Sequence, residues 1–87
     1  MGKARGDDLA ALLTQSALTP VKKSVAVAGH ATSVTLEPVF WRELARIAAV
    51  RGLSRDALFT EIDAARGASD GTLANTLRLY VLRGLAP

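Results

Sequence analysis

The sequence predicts an α+β fold, mostly helical: an N-terminal β strand or hairpin, two core helices and an additional C-terminal helix, in an obligate homodimer. Three observations predict it. Apolar residues alternate with small or polar ones up to Leu36, a period of two. Beyond Pro38 they recur at helical spacing, and that pattern breaks at Arg51-Gly52-Leu53-Ser54 before a second helix begins. Finally, one short strand joined to two helices leaves sheet edges unpaired, which a second copy of the chain would fill.

Size and composition sharpen this expectation. At 87 residues the chain makes one domain, in the range where a single hydrophobic core is marginal without help. The absence of cysteine excludes disulfides and thiolate metal sites, and a single histidine argues against a His-built one, so no cofactor is expected. Oligomerisation is the remaining staple. An apolar content of 49% is too high for a disordered protein. The net charge of +3 and a pI near 10.0 favour acidic partners such as nucleic acid. Apolar runs are short and broken, so no membrane span is expected. The basic start Met1-Gly-Lys-Ala-Arg-Gly6 leads into Asp7 and Asp8 without an apolar signal segment, which points to a cytoplasmic protein.

Residues 1–20 read as an N-terminal arm and 21–87 as the domain. Within the arm, Asp7 or Asp8 could cap a short amphipathic helix through Leu9, Leu12 and Leu13, marginal without a surface to dock on. Thr19-Pro20 closes it. Over 22–36, Val25 and Val27 alternate with Ser24, Ala26 and Ala28, and Val34 and Leu36 with Ser33 and Thr35. Gly29-His30 suits a II′ hairpin turn, which would pair Ala28 with Ala31, Val27 with Thr32, Ala26 with Ser33 and Val25 with Val34. A single long strand with a glycine bulge is the other reading.

The first helix is expected over 38–51, with Pro38 at its first position. Phe40, Trp41, Leu44, Ile47 and Ala48 form its apolar stripe, and Arg42, Glu43, Arg46 and Arg51 take the other side. Gly52 ends it as a left-handed cap. Ser54 caps the second helix, over 54–66, which turns Leu58, Phe59, Ile62 and Ala65 inward before Gly67. The third helix, over 70–83, opens at Ser69 or Asp70 and carries Leu73, Leu77, Leu79, Tyr80, Val81 and Leu82. It is apolar around most of its circumference and is expected to be buried. The expected dimer core is Val34, Leu36, Phe40, Trp41, Leu44, Leu58 and Ile62. Leaving Val34, Leu36, Phe40 and Trp41 exposed in a monomer would forgo roughly 1.5–3 kcal/mol per side chain.

Strand, helix, Gly-x-Ser turn and helix together resemble the ribbon-helix-helix superfamily of dimeric bacterial DNA-binding proteins. Lys23-Ser-Val-Ala-Val-Ala-Gly-His30, Thr32-Ser-Val-Thr-Leu-Glu37, Phe40-Trp41, Arg51-Gly-Leu-Ser54 and Glu61-Ile-Asp63 are similar to a family of stand-alone bacterial ribbon-helix-helix domain proteins. The resemblance implies two chains that pair strands antiparallel into a ribbon, with helices behind it and the ribbon in the DNA major groove. The outward, base-reading positions it implies are Ala31, Ser33 and Thr35. Alanine stands where relatives place a basic or amide residue and offers only a methyl contact; Ser33 and Thr35 can bond either base type. Phosphate contacts are implied at the second helix's N-terminus, through the Ser54 and Arg55 backbone donors and the Arg55 charge. Lys22, Lys23 and Arg51 would add attraction.

A true hairpin in each chain would give a dimer sheet of four strands, about 14 Å between outer strand axes at about 4.8 Å per step. A major groove about 12 Å wide admits two strands comfortably, so the first strand would have to peel away as an arm, or the sheet bind differently. A Ser54, His30 and Asp63 constellation can be assembled on paper, but nothing in the spacing supports it, and no enzyme is expected. The expected function is a homodimeric DNA-binding transcriptional regulator of double-stranded DNA. The alternative is a dimeric protein-interaction or antitoxin-like adaptor module that binds a protein partner through the arm or the third helix.

Overall fold

The computed structural model describes residues 18–67 and 71–85. The arm helix expected through Leu9, Leu12 and Leu13 lies outside these residues, as do Ser69 and Asp70, and the third helix, expected over 70–83, spans Leu73–Leu85. Five elements follow in order: β1 (Val21–Val27), β2 (His30–Leu36), α1 (Pro38–Val50), α2 (Arg55–Arg66) and α3 (Leu73–Leu85).

β1 and β2 form a two-stranded antiparallel hairpin, which decides between hairpin and bulged strand. Its two-residue loop is Ala28-Gly29, not Gly29-His30. Val27 pairs with His30, Ala26 with Ala31, Val25 with Thr32 and Ser24 with Ser33. Both loop residues have positive φ, 52° at Ala28 and 81° at Gly29, the I′ geometry whose twist matches that of the strands. Ala28 accepts a left-handed backbone at a cost of about 1–2 kcal/mol. A tertiary bond offsets part of this, since the Ala28 N–H donates to Thr60 Oγ1 of α2 at 3.0 Å. The register differs from expectation by two residues, an even number, so every side chain stays on its expected face.

α1 begins with Pro38 in its first turn and ends in a Schellman motif: Leu53 N–H donates to Ala48 O at 2.8 Å and Gly52 N–H to Ala49 O at 3.1 Å. Gly52, at φ 70°, makes this reversal without a Cβ penalty. The chain passes at once to Ser54, whose Oγ accepts the Ala57 N–H and caps α2. Thr72 does the same for α3, its Oγ1 accepting the Asn75 N–H.

α2 lies against β1 and α3 against β2, with α1 packed across both helices. Val25, Val27, Val34 and Leu36 point from the sheet into a core completed by Trp41, Leu44, Ala48, Leu58, Phe59, Ile62, Leu77 and Val81. The expected dimer-core residues Val34, Leu36, Trp41, Leu44, Leu58 and Ile62 are therefore buried inside one chain, and Phe40 is half-buried against them. Within one chain, β1 covers one edge of β2, and α2 and α3 cover the inner face. α3 packs against α2, α1 and β2 as expected of a buried helix, but it fully buries only the stripe of Leu77 and Val81, while Leu79 is 60% and Leu82 54% exposed.

Candidate nucleic-acid interface

The strand period places six side chains on the outward face of the hairpin, as cross-strand pairs Lys22–Thr35, Ser24–Ser33 and Ala26–Ala31. All six are exposed. Apart from the Lys22 ammonium, this face carries only methyl and hydroxyl groups. Ala31, Ser33 and Thr35 thus stand where sequence reasoning placed base readers, joined by Lys22 and Ser24 of the neighbouring strand.

Antiparallel alternation also fixes which main-chain groups are spent. The pairs Val27–His30, Val25–Thr32 and Lys23–Val34 exchange hydrogen bonds across the hairpin, so the N–H and C=O groups of Ala31, Ser33 and Thr35 point to the other edge of β2. Among the described residues, only the Thr35 carbonyl meets a donor there, Arg78 Nη2 at a long 3.4 Å. β1 is fastened instead. Trp41 Nε1 donates to Val21 O at 2.9 Å, Arg55 Nη2 to Ser24 O at 3.1 Å, and Ala28 N–H to Thr60. Among the described residues, the sheet therefore has one bound edge and one open edge.

Beside the bound edge, cations gather on one aromatic ring. Lys23 sits on the inward side of β1, with Nζ 5.1 Å from the Trp41 ring centroid, and the Arg55 guanidinium lies 5.8 Å from the same ring. Phe59 stacks on Trp41 from within, centroids 5.8 Å apart. Arg42 is exposed and lines the adjoining surface cavity with Lys23, Trp41, Pro38 and Ala45. A cation over an indole face gains roughly 0.5–1 kcal/mol at exposed sites. Arg55 also touches Asp56 at 3.3 Å, and it is the first residue of α2, where the helix dipole adds positive potential. Sequence reasoning missed Arg42 and the role of Trp41 as the support for these cations. The stripe assignment put Trp41 in the core, and the ring does both jobs.

Other expected contacts are placed elsewhere. Arg51 forms a two-pronged ion pair with Glu61, with Nη2 to Oε1 at 3.0 Å, and lines a groove between α2 and α3 with Arg66, Tyr80 and Arg83. Ser54 Oγ is spent on its capping bond. Asp63 is held by Arg66 at 2.6 Å, and no hydrogen bond joins Ser54, His30 and Asp63.

At the end of the open edge, Arg78 of α3 grips the Glu37 carboxylate through Nε at 2.9 Å and Nη2 at 3.2 Å, with its guanidinium 5.9 Å from the Phe40 ring. The Arg78 hydrogen bonds, aided by a backbone bond, hold the Glu37 carboxyl below its ordinary value of 4.5. The group is thus more acidic folded than unfolded, so its stabilisation is present above that value and is lost as pH falls below it. Between about pH 6 and about pH 3, wild type should lose more of its urea midpoint than Glu37→Gln. Equal losses would show that this pair does not couple folding to pH. Glu43 and Glu61, likewise lowered by Arg46 and Arg51, titrate in both proteins and cancel from the comparison.

A family model described as "Ribbon-helix-helix domain" matches residues 20–85. The chain belongs to the ribbon-helix-helix domain family. No curated protein sequence matches it. Among solved structures, this ribbon-helix-helix chain is similar to an uncharacterized protein from Bordetella pertussis Tohama I, with a TM-score of 0.72 and 28% identity over 88% of the chain. The chain spans 64% of the length of that protein. In ribbon-helix-helix terms, β2 with α1 and α2 is the strand-helix-helix unit, β1 pairs with its strand, and α3 packs under it. No described helix is long and apolar enough to cross a membrane.

Proposed function

We propose that this ribbon-helix-helix protein is a homodimeric DNA-binding transcriptional regulator. The observation that carries the reading is the open edge of β2 next to an exposed face of hydroxyl and methyl groups. Two copies pair these edges antiparallel about a two-fold axis at Ser33, which sets Ala31 opposite Thr35 and forms about six main-chain hydrogen bonds. Ala31, Ser33 and Thr35 of each copy then face the major groove, where hydroxyls bond base edges and the Ala31 methyl can meet thymine. Arg55, Lys23 and the backbone donors at the start of α2 hold phosphates, with Arg42 beside them, while Lys22 and Arg51 add to the positive field. Family membership supports the reading, since ribbon-helix-helix domains commonly dimerise and bind DNA.

Titration of a labelled duplex at two ionic strengths tests it. Affinity should fall steeply with salt, log K dropping by about 0.9 per phosphate contact for each tenfold increase in salt. No binding at low salt, or binding indifferent to salt, rejects the regulator. Selection from a random duplex pool would supply its site.

A second reading, a dimeric protein-interaction or antitoxin-like adaptor, is favoured by one feature. Leu79 and Leu82 are exposed on α3, and Leu79 lines the Arg51–Tyr80–Arg83 groove. It predicts that Leu79→Ser releases a co-purifying protein while Arg55→Ala changes nothing.

A further inference from the structure

Resting on the dimeric DNA-binding reading, we infer that β1 stays in the sheet on DNA, so that the dimer straddles the major groove with four strands and its two Lys22 side chains clamp opposite phosphate walls. The fastening of β1 leads there. Bonds from Trp41 to Val21 O, from Arg55 to Ser24 O and from Ala28 N–H to Thr60 tie the strand at both ends and in the middle, in addition to its pairing with β2. Val25 and Val27 of the same strand are core residues. Peeling β1 away would break all of these at once and uncover the core, so a detachable arm is excluded by cost.

The dimension then decides the mode. Four strands at about 4.8 Å per step span about 14 Å between outer axes, more than the roughly 12 Å groove. β2 and its symmetry mate lie over the groove centre, and the β1 strands lie over its walls. Lys22 pairs with Thr35, two residues from the proposed axis, so the two copies of Lys22 occupy diagonal corners. They are about 14 Å apart across the strands and about 14 Å along them, or about 20 Å in all. Each points outward toward a different DNA strand. Lys23, one residue on, faces the other way onto Trp41. The two lysines, alike in sequence, thus have separate roles. Small side chains at Ser24 and Ala26 let β1 sit close to the backbone, and Arg55, bonded to Ser24 O, stands at the same wall.

The test uses the full chain, a duplex from the random-pool selection and an unrelated duplex. Lys22→Ala should lower the magnitude of the log K against log salt slope by about 1.8 per dimer, about 0.9 for each of two phosphates. It should weaken both duplexes by the same factor, and Lys22→Arg should restore the slope. The amides of Val25 and Val27 should exchange as slowly in the complex as in the free protein. An unchanged slope, a loss confined to the selected duplex, or faster exchange of those amides on DNA overturns the inference while leaving the regulator standing. Failure of wild type to bind either duplex removes the regulator, and this inference falls with it.

Discussion

Replacing Phe59 by alanine should destabilise the protein by about 3–5 kcal/mol, the usual cost of deleting a buried phenyl ring and leaving a cavity. Phe59 is fully buried, stacks on Trp41 and belongs to the core shared by the hairpin and the helices. Total stabilities of about 5–15 kcal/mol are usual for domains, so this one ring is a large fraction of what a chain of this size can hold. The urea midpoint measures it, with the m-value showing whether unfolding remains cooperative. A loss below about 1 kcal/mol would mean that the ring is not the pivot between hairpin and helices. A second consequence separates packing from surface effects. Trp41 loses its inner support in Phe59→Ala, so DNA affinity should fall even at temperatures where the variant is folded.

On the proposed edge-paired dimer, replacing Ser33 by proline should dissociate the two copies and abolish most of the proposed DNA binding while the single chain keeps its fold. The register turns the Ser33 N–H away from β1, so proline removes no bond inside the hairpin. Proline is tolerated in edge strands where the missing N–H faces outward. In the proposed dimer, however, the same N–H is the central donor in each direction. Its removal leaves two carbonyls unsatisfied, about 2–6 kcal/mol per dimer at about 1–3 kcal/mol each. DNA affinity should therefore drop by roughly thirtyfold or more. Sedimentation at micromolar concentration and duplex titration read the two effects, and far-UV circular dichroism checks the fold. A Ser33→Pro protein that remains dimeric with unaltered affinity would remove β2 pairing as the basis of assembly.

Much of this architecture is written in local patterns. The period of two assigned Val25, Val27, Val34 and Leu36 to one face and Ser24, Ser33 and Thr35 to the other, and the structure places them so. Gly52 and Ser54 marked the break between α1 and α2 because a left-handed reversal and a side-chain cap each demand particular residues. The turn was harder. Placing the loop at Ala28-Gly29 or at Gly29-His30 keeps the same face pattern, so patterning could not separate them. The bond from Ala28 to Thr60, 32 residues away in sequence, belongs to the tertiary fold.

The cations divide in the same way. Charge and position alone put Lys22, Lys23, Arg51 and Arg55 among the phosphate-attracting cations, yet the fold gives them different neighbours. Lys22 faces out beside Thr35, Lys23 and Arg55 rest on Trp41, and Arg51 is committed to Glu61. Short-range chemistry fixed the elements, their faces and their ends, because backbone sterics and capping act within a few residues. How the core closes, which sheet edge stays open and which cations remain free followed from packing. Those outcomes depend on residues distant in sequence meeting in space, and no local pattern encodes that meeting.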